Sequence, residues 1–210
     1  ALDGDGDRLM VCDEKGRIVD GDHVMAICAS QLLSSRKLRK KTLVSTVMSN
    51  MGLEEAMRKM GGRLERTRVG DRYVVEAMRA GGYNFGGEQS GHLIFLDHNT
   101  TGDGILAALQ LLAVMINRDQ PLSELAQIMT TYPQVLENVR ISNKMPPDQL
   151  PGFSQALAEA EDRLGGSGRI LVRPSGTEPV IRIMVEGEDP KEISSIALQL
   201  CDVIRHADKC

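Results

Sequence analysis

The residues best suited to chemistry lie near the start of the sequence, in residues 3–8, which read Asp-Gly-Asp-Gly-Asp-Arg. Asp3, Asp5 and Asp7 alternate with glycines, which adopt positive φ at little steric cost and let the loop curl until the carboxylates converge. Carboxylates at such a short distance repel one another unless a cation lies among them, and hard oxygen ligands suit Mg²⁺. The pattern predicts one Mg²⁺ ion bound by Asp3, Asp5 and Asp7, with a plain acidic turn as the alternative.

Two other classes of acidic loop fit the sequence less well. A calcium-binding EF-hand needs glycine at the sixth loop position, where this sequence has Arg8, and residues 9–12 form an apolar run typical of a strand. A phosphatase of the haloacid-dehalogenase type would use the first aspartate of an Asp-x-Asp motif as its nucleophile. That motif normally follows a buried strand, whereas only Ala1 and Leu2 precede Asp3.

A second candidate site is the segment 173–179, which reads Arg-Pro-Ser-Gly-Thr-Glu-Pro between two predicted strands. A guanidinium group matches phosphate oxygens, hydroxyls donate to them, and glycine lets backbone N–H groups approach. An ordinary hairpin turn is the alternative. The residues expected to hold a phosphate group are Arg173, Ser175, Gly176, Thr177 and, in the following strand, Arg182.

A third candidate site is the glycine-rich segment 86–92. Glu88 and Ser90 are two positions apart, so in an extended segment both would point the same way and could bind neighbouring sugar hydroxyls. His92 would share that side and could exchange a proton near neutral pH. The alternative is a glycine-rich turn with a surface histidine. Residues 67–72, between a strand and a helix, lie where α/β sheets bind ligands.

The composition indicates a globular protein that binds neither nucleic acid nor a membrane. The chain has 210 residues, is 41% apolar and 26% charged, and carries a formal charge of −4. Its one basic cluster, residues 36–41, is explained by a solvated turn, and no apolar run approaches the ~20 residues of a membrane span. Four cysteines without metal-binding spacing indicate free thiols and a cytoplasmic location: Cys12, Cys28, Cys201 and Cys210.

Strands and helices alternate in the first part of the sequence, which predicts an α/β domain with a mixed, mainly parallel sheet and helices on both faces. Asp22 is a candidate N-cap for the first helix. The expected strands are 9–12, 17–19, 42–47, 63–67 and 92–96, and the expected helices are 23–34, 52–60, 73–79 and 105–117.

Prolines interrupt the pattern between residues 133 and 151, as expected of a domain edge. The remaining elements predict a small α+β domain with antiparallel strands at 169–172 and 180–186, between helices at 153–163 and 191–206. The expected division is therefore 1–19 as the remnant of a metal-binding domain, 20–132 as a sugar-recognition domain, and 133–210 as a phosphate-binding domain.

The four segments 3–8, 67–72, 87–92 and 173–179 together resemble the α-D-phosphohexomutase family, and the resemblance covers the chain from end to end. Within the family, residues 70–74 and 88–90 are most similar to the bacterial members that interconvert glucosamine 6-phosphate and glucosamine 1-phosphate. Members that act on glucose or mannose phosphate are the alternative, together with a non-catalytic module that only binds a phosphosugar.

The resemblance implies an isomerase, a phosphoprotein that makes an amino-sugar precursor of peptidoglycan. A phosphoserine passes its phosphoryl group to the sugar phosphate. The resulting bisphosphate intermediate reorients and returns its other phosphoryl group to the serine. A sugar bisphosphate acts as activator. The implied roles are Mg²⁺ binding by Asp3, Asp5 and Asp7, catalysis by Arg8 and His92, sugar binding by Glu88 and Ser90, and phosphate binding by Arg173, Ser175, Gly176 and Thr177.

The sequence departs from the family pattern at one point, because no serine loop of the form Thr-x-Ser-His-Asn-Pro is present, and residues 90–92 belong to the sugar loop. We therefore expect a C-terminal portion of such an enzyme, inactive without the phosphoserine domain as its partner. Residues 1–19 are expected to lack sheet partners and to pair with another molecule or stay mobile. The sequence leaves the oligomeric state open.

Overall fold

The computed structural model describes residues 1–142, 145–175 and 178–208, and it contains two compact units, Ala1–Thr131 and Tyr132–Cys210. Each unit has its own sheet and its own apolar core. No helix in the described part of the chain is long and apolar enough to cross a bilayer.

The first unit contains six strands and five helices within residues 1–131. The strands are β1 (Val11–Cys12), β2 (Ile18–Val19), β3 (Thr42–Thr46), β4 (Arg63–Thr67), β5 (Phe85–Gly87) and β6 (Leu93–Phe95). The helices are α1 (Gly21–Ser34), α2 (Met51–Lys59), α3 (Asp71–Gly81), α4 (Gly104–Arg118) and α5 (Leu122–Leu125).

The main sheet of this unit has the order β4-β3-β5-β6. Strands β4, β3 and β5 run parallel, and β6 runs antiparallel to β5, so the predicted mixed and mainly parallel sheet is confirmed. The carboxyl ends of the three parallel strands meet at one edge, where the loops after Thr46, Thr67 and Gly87 begin. This edge is the place where open α/β sheets bind ligands.

Side chains alternate across the sheet and bury both of its faces. Val44 and Ile94 contact one helix, α3, through Val74 and Met78. On the other face, α1, α2 and α4 cover the side chains that point the opposite way along the strands: Leu43, Phe85, Leu93 and Phe95. Because adjacent residues of one strand point to opposite faces, a run such as Leu43-Val44 requires helices on both sides, as predicted.

Two local predictions for this unit were wrong, and one short helix was missed. Strand β5 forms within residues 84–91, for which the sequence predicts a glycine-rich loop. Gly86 is required there because a Cβ would lie 2.7 Å from the carbonyl oxygen of Val44. The short helix α5 was not predicted. The N-cap of α1 is Asp20, whose carboxylate accepts the N–H of His23, while Asp22 lies inside the first turn and is fully buried.

Residues 1–19 contact the rest of the first unit. Strands β1 and β2 form a two-stranded antiparallel sheet that gains no third strand from the described residues. Backbone hydrogen bonds nevertheless join Leu9 to Gly91 and Gly104 to Gly6, and the N–H of Ser123 binds the Glu14 carboxylate at 3.2 Å. The segment therefore has few sheet partners, as expected, although its backbone is hydrogen-bonded to the rest of the first unit.

The second unit is an antiparallel sheet covered by helices on one face. It contains β7 (Gln134–Arg140), α6 (Phe153–Leu164), β8 (Gly168–Pro174), β9 (Val180–Gly187) and α7 (Pro190–Ala207), with the strand order β7-β9-β8. The core joins the strands to α6 and α7 through Ile181, Ile183 and Val185 of β9. Strand β7 was missed, since the prolines around it indicated a linker. The small α+β fold itself is confirmed.

Candidate functional site

The acidic loop brings its three aspartates together. Ligand oxygens of Asp3, Asp5 and Asp7 all lie within 4.8 Å of one another. Asp3 and Asp5 are exposed, whereas Oδ1 of Asp7 is buried and has no hydrogen-bond partner among the described residues. Three carboxylates converging around a buried, unpartnered oxygen form a set of hard donors that fits a small divalent cation.

Arg8 and His92 provide positive charge or a proton donor beside this cluster. The backbone N–H of Arg8 donates to Asp3 at 3.2 Å, and its Nε lies 3.7 Å from Asp3 and 3.9 Å from Asp7. His92 is buried, and its Nδ1 lies 3.2 Å from Oδ2 of Asp7. Since an ionised carboxylate only accepts hydrogen bonds, Nδ1 is the donor. The alternative of a surface histidine at position 92 is wrong.

The acidic loop is joined to the segment 88–92 by the main chain. Arg8 and His92 form an antiparallel bridge, and the N–H of Leu9 donates to the carbonyl of Gly91 at 3.0 Å. Gly91 has φ +91°, and a Cβ at this position would lie 2.2 Å from the Leu9 oxygen. A Cβ at Gly102 would likewise lie 2.3 Å from the His92 ring. Glycine is therefore required on both sides of the contact.

Glu88 and Ser90 do not share an extended segment. Residues 89 and 90 form a turn that the N–H of Gly91 closes on the carbonyl of Glu88 at 3.0 Å, so the argument that the two side chains point the same way was wrong. Oε1 of Glu88 accepts the N–H of Gly70 at 3.0 Å, which ties the loop after β4 to this turn. Ser90 is exposed. Both side chains lie at the carboxyl edge of the sheet.

The loop after β4 adds two cations that the sequence argument did not single out. The guanidinium carbon of Arg68 lies 4.6 Å from the centre of the Tyr73 ring, and that of Arg72 lies 5.3 Å from it. Arg72 also pairs with Glu76 at 3.2 Å. Their position after a parallel strand and before a helix was the feature of the sequence that could have identified them as residues of the site.

The predicted phosphate-binding residues lie in the second unit. Arg173 and Arg182 are direct partners across β8 and β9. Burial and the neighbouring charge of Arg182 lower the pKa of Arg173, and Nε of Arg182 is buried without a hydrogen-bond partner in the described part of the chain. Ser175 is buried, and its hydroxyl accepts the N–H of Glu178 at 3.3 Å. Gly176 and Thr177 lie outside the described residues.

A buried polar cluster underlies the edge where β3 and β5 end, and the sequence argument missed it. The Asp22 carboxylate accepts the N–H of Asn50 at 2.8 Å and hydrogen-bonds the Ser49 side chain. Burial raises the pKa of Asp22 to about 6, against the lowering effect of these hydrogen bonds and of Arg66. A polar residue in the first turn of a helix is common, so only its burial marks Asp22 as unusual.

Models of two adjoining domains match the chain. The model described as phosphoglucomutase/phosphomannomutase, alpha/beta/alpha domain III matches residues 20–132, and the model of the C-terminal domain of the same family matches residues 136–203. Together the two matches leave out residues 1–19, which contain the acidic loop.

Curated relatives match over almost the whole chain. Proteins named phosphoglucosamine mutase from Desulfotalea psychrophila and Myxococcus xanthus are 68% and 57% identical over 98% and 99% of this chain. The aligned regions are 46% and 45% of those proteins, so the chain spans about half the length of the curated relatives it matches.

Solved structures of lower identity share the fold. Aspergillus fumigatus N-acetylphosphoglucosamine mutase in complex with GlcNAc-6P and magnesium superimposes with a TM-score of 0.81 at 22% identity, over 97% of this chain and 51% of that one. An N-acetylglucosamine-phosphate mutase described as a member of the alpha-D-phosphohexomutase superfamily gives 0.75 at 19% identity, over 97% and 48%. Because models of two of its domains match in the expected order, the chain belongs to the phosphoglucomutase/phosphomannomutase family.

Proposed function

We propose that this chain supplies the metal, sugar and phosphate loops of a mutase that interconverts glucosamine 6-phosphate and glucosamine 1-phosphate through a phosphoserine and a bisphosphate intermediate. The observation that carries the proposal is the contact between Asp7 and His92 at 3.2 Å, because it joins the acidic cluster to the loop that contains Glu88. Phosphoryl transfer needs charge neutralisation beside the group that positions the sugar.

In this proposal Asp3, Asp5 and Asp7 hold one Mg²⁺ ion, whose chemistry when bound is to neutralise charge on the transferring phosphoryl group. The convergence of the three carboxylates within 4.8 Å supports this assignment. Arg8, half exposed beside them, is placed to bind a phosphate oxygen. His92 donates from Nδ1 to Asp7, which leaves Nε2 facing away from the cluster and fixes the ring against Gly102.

Sugar recognition is assigned to Glu88 and Ser90. Glu88 keeps an oxygen beyond the one that accepts the Gly70 N–H, and Ser90 is exposed at the turn. An acceptor and a hydroxyl at one edge are suited to bind sugar hydroxyls. Because the two residues lie on a turn and not on an extended strand, they are proposed to bind different parts of the sugar.

Binding of the non-reacting phosphate is assigned to Arg173, Ser175 and Arg182, with Gly176 and Thr177 added from the sequence motif alone. Arg173 and Arg182 bring two positive charges together with no carboxylate in salt-bridge distance of either among the described residues. Such a pair is costly by itself and is stabilised by a dianion.

Glucosamine phosphate is the proposed substrate because the curated relatives at 57–68% identity are named phosphoglucosamine mutases. Glucose and mannose phosphates are the alternatives, since they differ from it at one carbon. The related Aspergillus fumigatus structures include complexes with magnesium and with glucose 1,6-bisphosphate, which supports the same metal and a bisphosphate activator for this chain.

The phosphoryl carrier is proposed to lie outside these 210 residues, because no serine loop of the family type occurs in them. Residues 1–19 are assigned to the metal-binding domain, distinct from the domain that contains this carrier, with 20–132 and 133–210 as the sugar and phosphate domains. A cytoplasmic location, a role in peptidoglycan precursor synthesis and phosphorylation of the whole enzyme belong to the same proposal. A non-catalytic phosphosugar-binding module is the second candidate, favoured by the same missing serine loop.

The test is ³¹P NMR of the 210-residue chain with Mg²⁺, glucosamine 6-phosphate and a sugar bisphosphate. The expected result is broadening of the substrate resonance without turnover, and turnover after the phosphoserine domain of a relative is added. Appearance of the 1-phosphate from the chain alone would refute the missing carrier. No binding of any hexose phosphate would refute the function itself, and binding that never leads to turnover in the reconstituted protein would favour the non-catalytic module.

A further inference from the structure

A chain of buried side-chain contacts runs from Asp22 to the loop assigned to the sugar. The Asp22 carboxyl group hydrogen-bonds Ser49, the Ser49 hydroxyl binds the Ser45 hydroxyl, and Ser45 Oγ donates to the carbonyl of Gly87 at 2.9 Å. Asp22, Ser45 and Ser49 are all fully buried. Gly87 precedes Glu88 directly, so the last acceptor of the chain lies at the start of the turn.

The number of protons in this chain of contacts favours a neutral Asp22. Three contacts join the four groups, but the two serine hydroxyls carry only two protons, and the carbonyl of Gly87 carries none. All three contacts are hydrogen bonds only if Asp22 supplies the third proton. With an ionised Asp22, one contact would join two acceptors without a proton between them, inside the protein, where an unmade hydrogen bond is costly.

A second observation favours the neutral acid. Oδ1 of Asp22 is buried and has no hydrogen-bond partner among the described residues, while Asn50 binds Oδ2. A full negative charge shared with an unpartnered buried oxygen would be strongly unfavourable, whereas a neutral carboxyl group loses much less on burial.

The charged groups around Asp22 are largely paired with one another. Asp20, the N-cap of the same helix, binds His23 at 2.7 Å, and the Arg66 guanidinium from β4 binds Glu54 of α2 at 3.1 Å. Glu88 lies on the loop at the other end of the chain of contacts. Burial is therefore the dominant effect, and it raises the pKa of Asp22 to about 6.

We propose that Asp22 is a positioning residue, which holds the loop 88–92 through Ser49, Ser45 and the Gly87 carbonyl and does so in its neutral form. On ionisation the carboxylate, as the strongest acceptor, accepts a hydrogen bond from the Ser49 hydroxyl. Ser45 then donates either to Ser49 or to Gly87, and the carbonyl loses its hydrogen bond for part of the time. The link to sugar binding rests on the proposed function of this loop, whereas the proton count does not.

NMR of the 210-residue chain tests the proposal without any substrate. In wild-type protein labelled at aspartate carboxyl carbons and at the backbone, the Asp22 carboxyl, the Gly87 carbonyl and the Glu88 amide should titrate with one common midpoint near pH 6. In Asp22→Asn the side chain does not titrate, so the Gly87 and Glu88 resonances should no longer shift with this midpoint.

Ser45→Ala and Thr42→Val separate the contact chain from general effects on β3. Ser45→Ala should leave Asp22 titrating while the response of Gly87 is lost, and Thr42→Val, which removes a buried hydroxyl at the other end of the same strand, should preserve it. A midpoint near the ordinary aspartate value, or a Gly87 carbonyl that does not respond when Asp22 titrates, would overturn the proposal.

Calorimetry with glucosamine 6-phosphate tests the consequence for binding. The phosphate of the ligand ionises over the same pH range, so affinities are compared between wild type and Asp22→Asn at each pH. We expect the affinity of wild type relative to Asp22→Asn to fall about 2- to 10-fold from about pH 5 to about pH 7.5, the range for one hydrogen bond. A ratio of the two affinities that does not change with pH would indicate a structural role and contradict the proposal. Absence of binding by both proteins would refute the proposed function of the chain and leave the NMR result to decide on Asp22.

Discussion

The buried carboxyl group of Asp22 makes the stability of the first unit depend on pH in an unusual direction. The pKa of this group is about 6 in the folded protein and 3.8 in its ordinary state. The folded protein therefore binds the proton more tightly than the unfolded chain between these values. The resulting stabilisation is complete below about pH 3.8, and it is lost as the pH rises through about 6.

The magnitude follows from the shift of the pKa. At 1.36 kcal/mol per pH unit, a shift of about 2.2 units corresponds to about 3 kcal/mol in the low-pH limit. Between about pH 7.5 and about pH 5, where the folded group is mostly protonated and the unfolded group mostly ionised, the gain is about 1.4 kcal/mol. Most carboxylates act in the opposite direction, because hydrogen bonds lower their pKa, as they do for Asp20.

Urea unfolding of wild type and Asp22→Asn at these two pH values measures the effect, since the other titrating groups cancel in the difference. Wild type should gain about 1.4 kcal/mol relative to Asp22→Asn on going from about pH 7.5 to about pH 5. A difference between the two proteins that stays constant with pH would show that Asp22 is ionised in the folded state, and the reasoning from its burial would fail. If Asp22→Asn does not fold, the midpoint of the Asp22 carboxyl resonance in wild type answers the same question.

Three further predictions concern the loops. Arg173→Ala should weaken the affinity for a hexose phosphate by roughly 1.5–3 kcal/mol in calorimetry, through loss of a charged hydrogen-bonding group, whereas Arg205→Ala on an exposed helix face should not; equal losses would remove Arg173 from the phosphate site. Asp5→Asn should lower the affinity for Mg²⁺ by about tenfold or more, with an unchanged unfolding midpoint in metal-free buffer; unchanged affinity would make the acidic loop a plain turn. Gly91→Ala should lower the free energy of unfolding by at least about 1 kcal/mol more than Gly152→Ala, because both glycines have positive φ but only Gly91 faces the Leu9 carbonyl; equal losses would refute the close contact.

Elements with a strong pattern of their own could be predicted from the sequence. The β-branched strand β3 and the long periodic helix α4 are examples, and their order fixes the α/β class. Strand β5 could not be predicted, because two of its three residues are glycines, and local propensity favours a loop. Its glycines are explained only by the neighbouring strand, whose carbonyl leaves no room for a Cβ. Strand β7 was missed because the prolines beside it are read as a break in the pattern.

The candidate site was predictable to a similar degree. Alternation of aspartate and glycine in the acidic loop is a local property, so the convergence of its carboxylates could be expected from the sequence. The contact of His92 with Asp7 depends on a bridge between residues far apart in the chain, which no local pattern encodes. The same holds for Asp22, since its burial arises only when the loop after β3 folds over the start of α1.

The main-chain contact between the acidic loop and the segment 88–92 has a consequence for comparing and recombining related proteins. A hydrogen bond from Leu9 to Gly91 and a bridge between Arg8 and His92 hold the two segments together at neighbouring positions, and Gly91 admits no side chain there. The acidic loop and the segment 88–92 therefore form one structural unit. An acidic loop transplanted from a distant relative should function only if its partner segment is transplanted with it, so chimeras should be divided outside this pair.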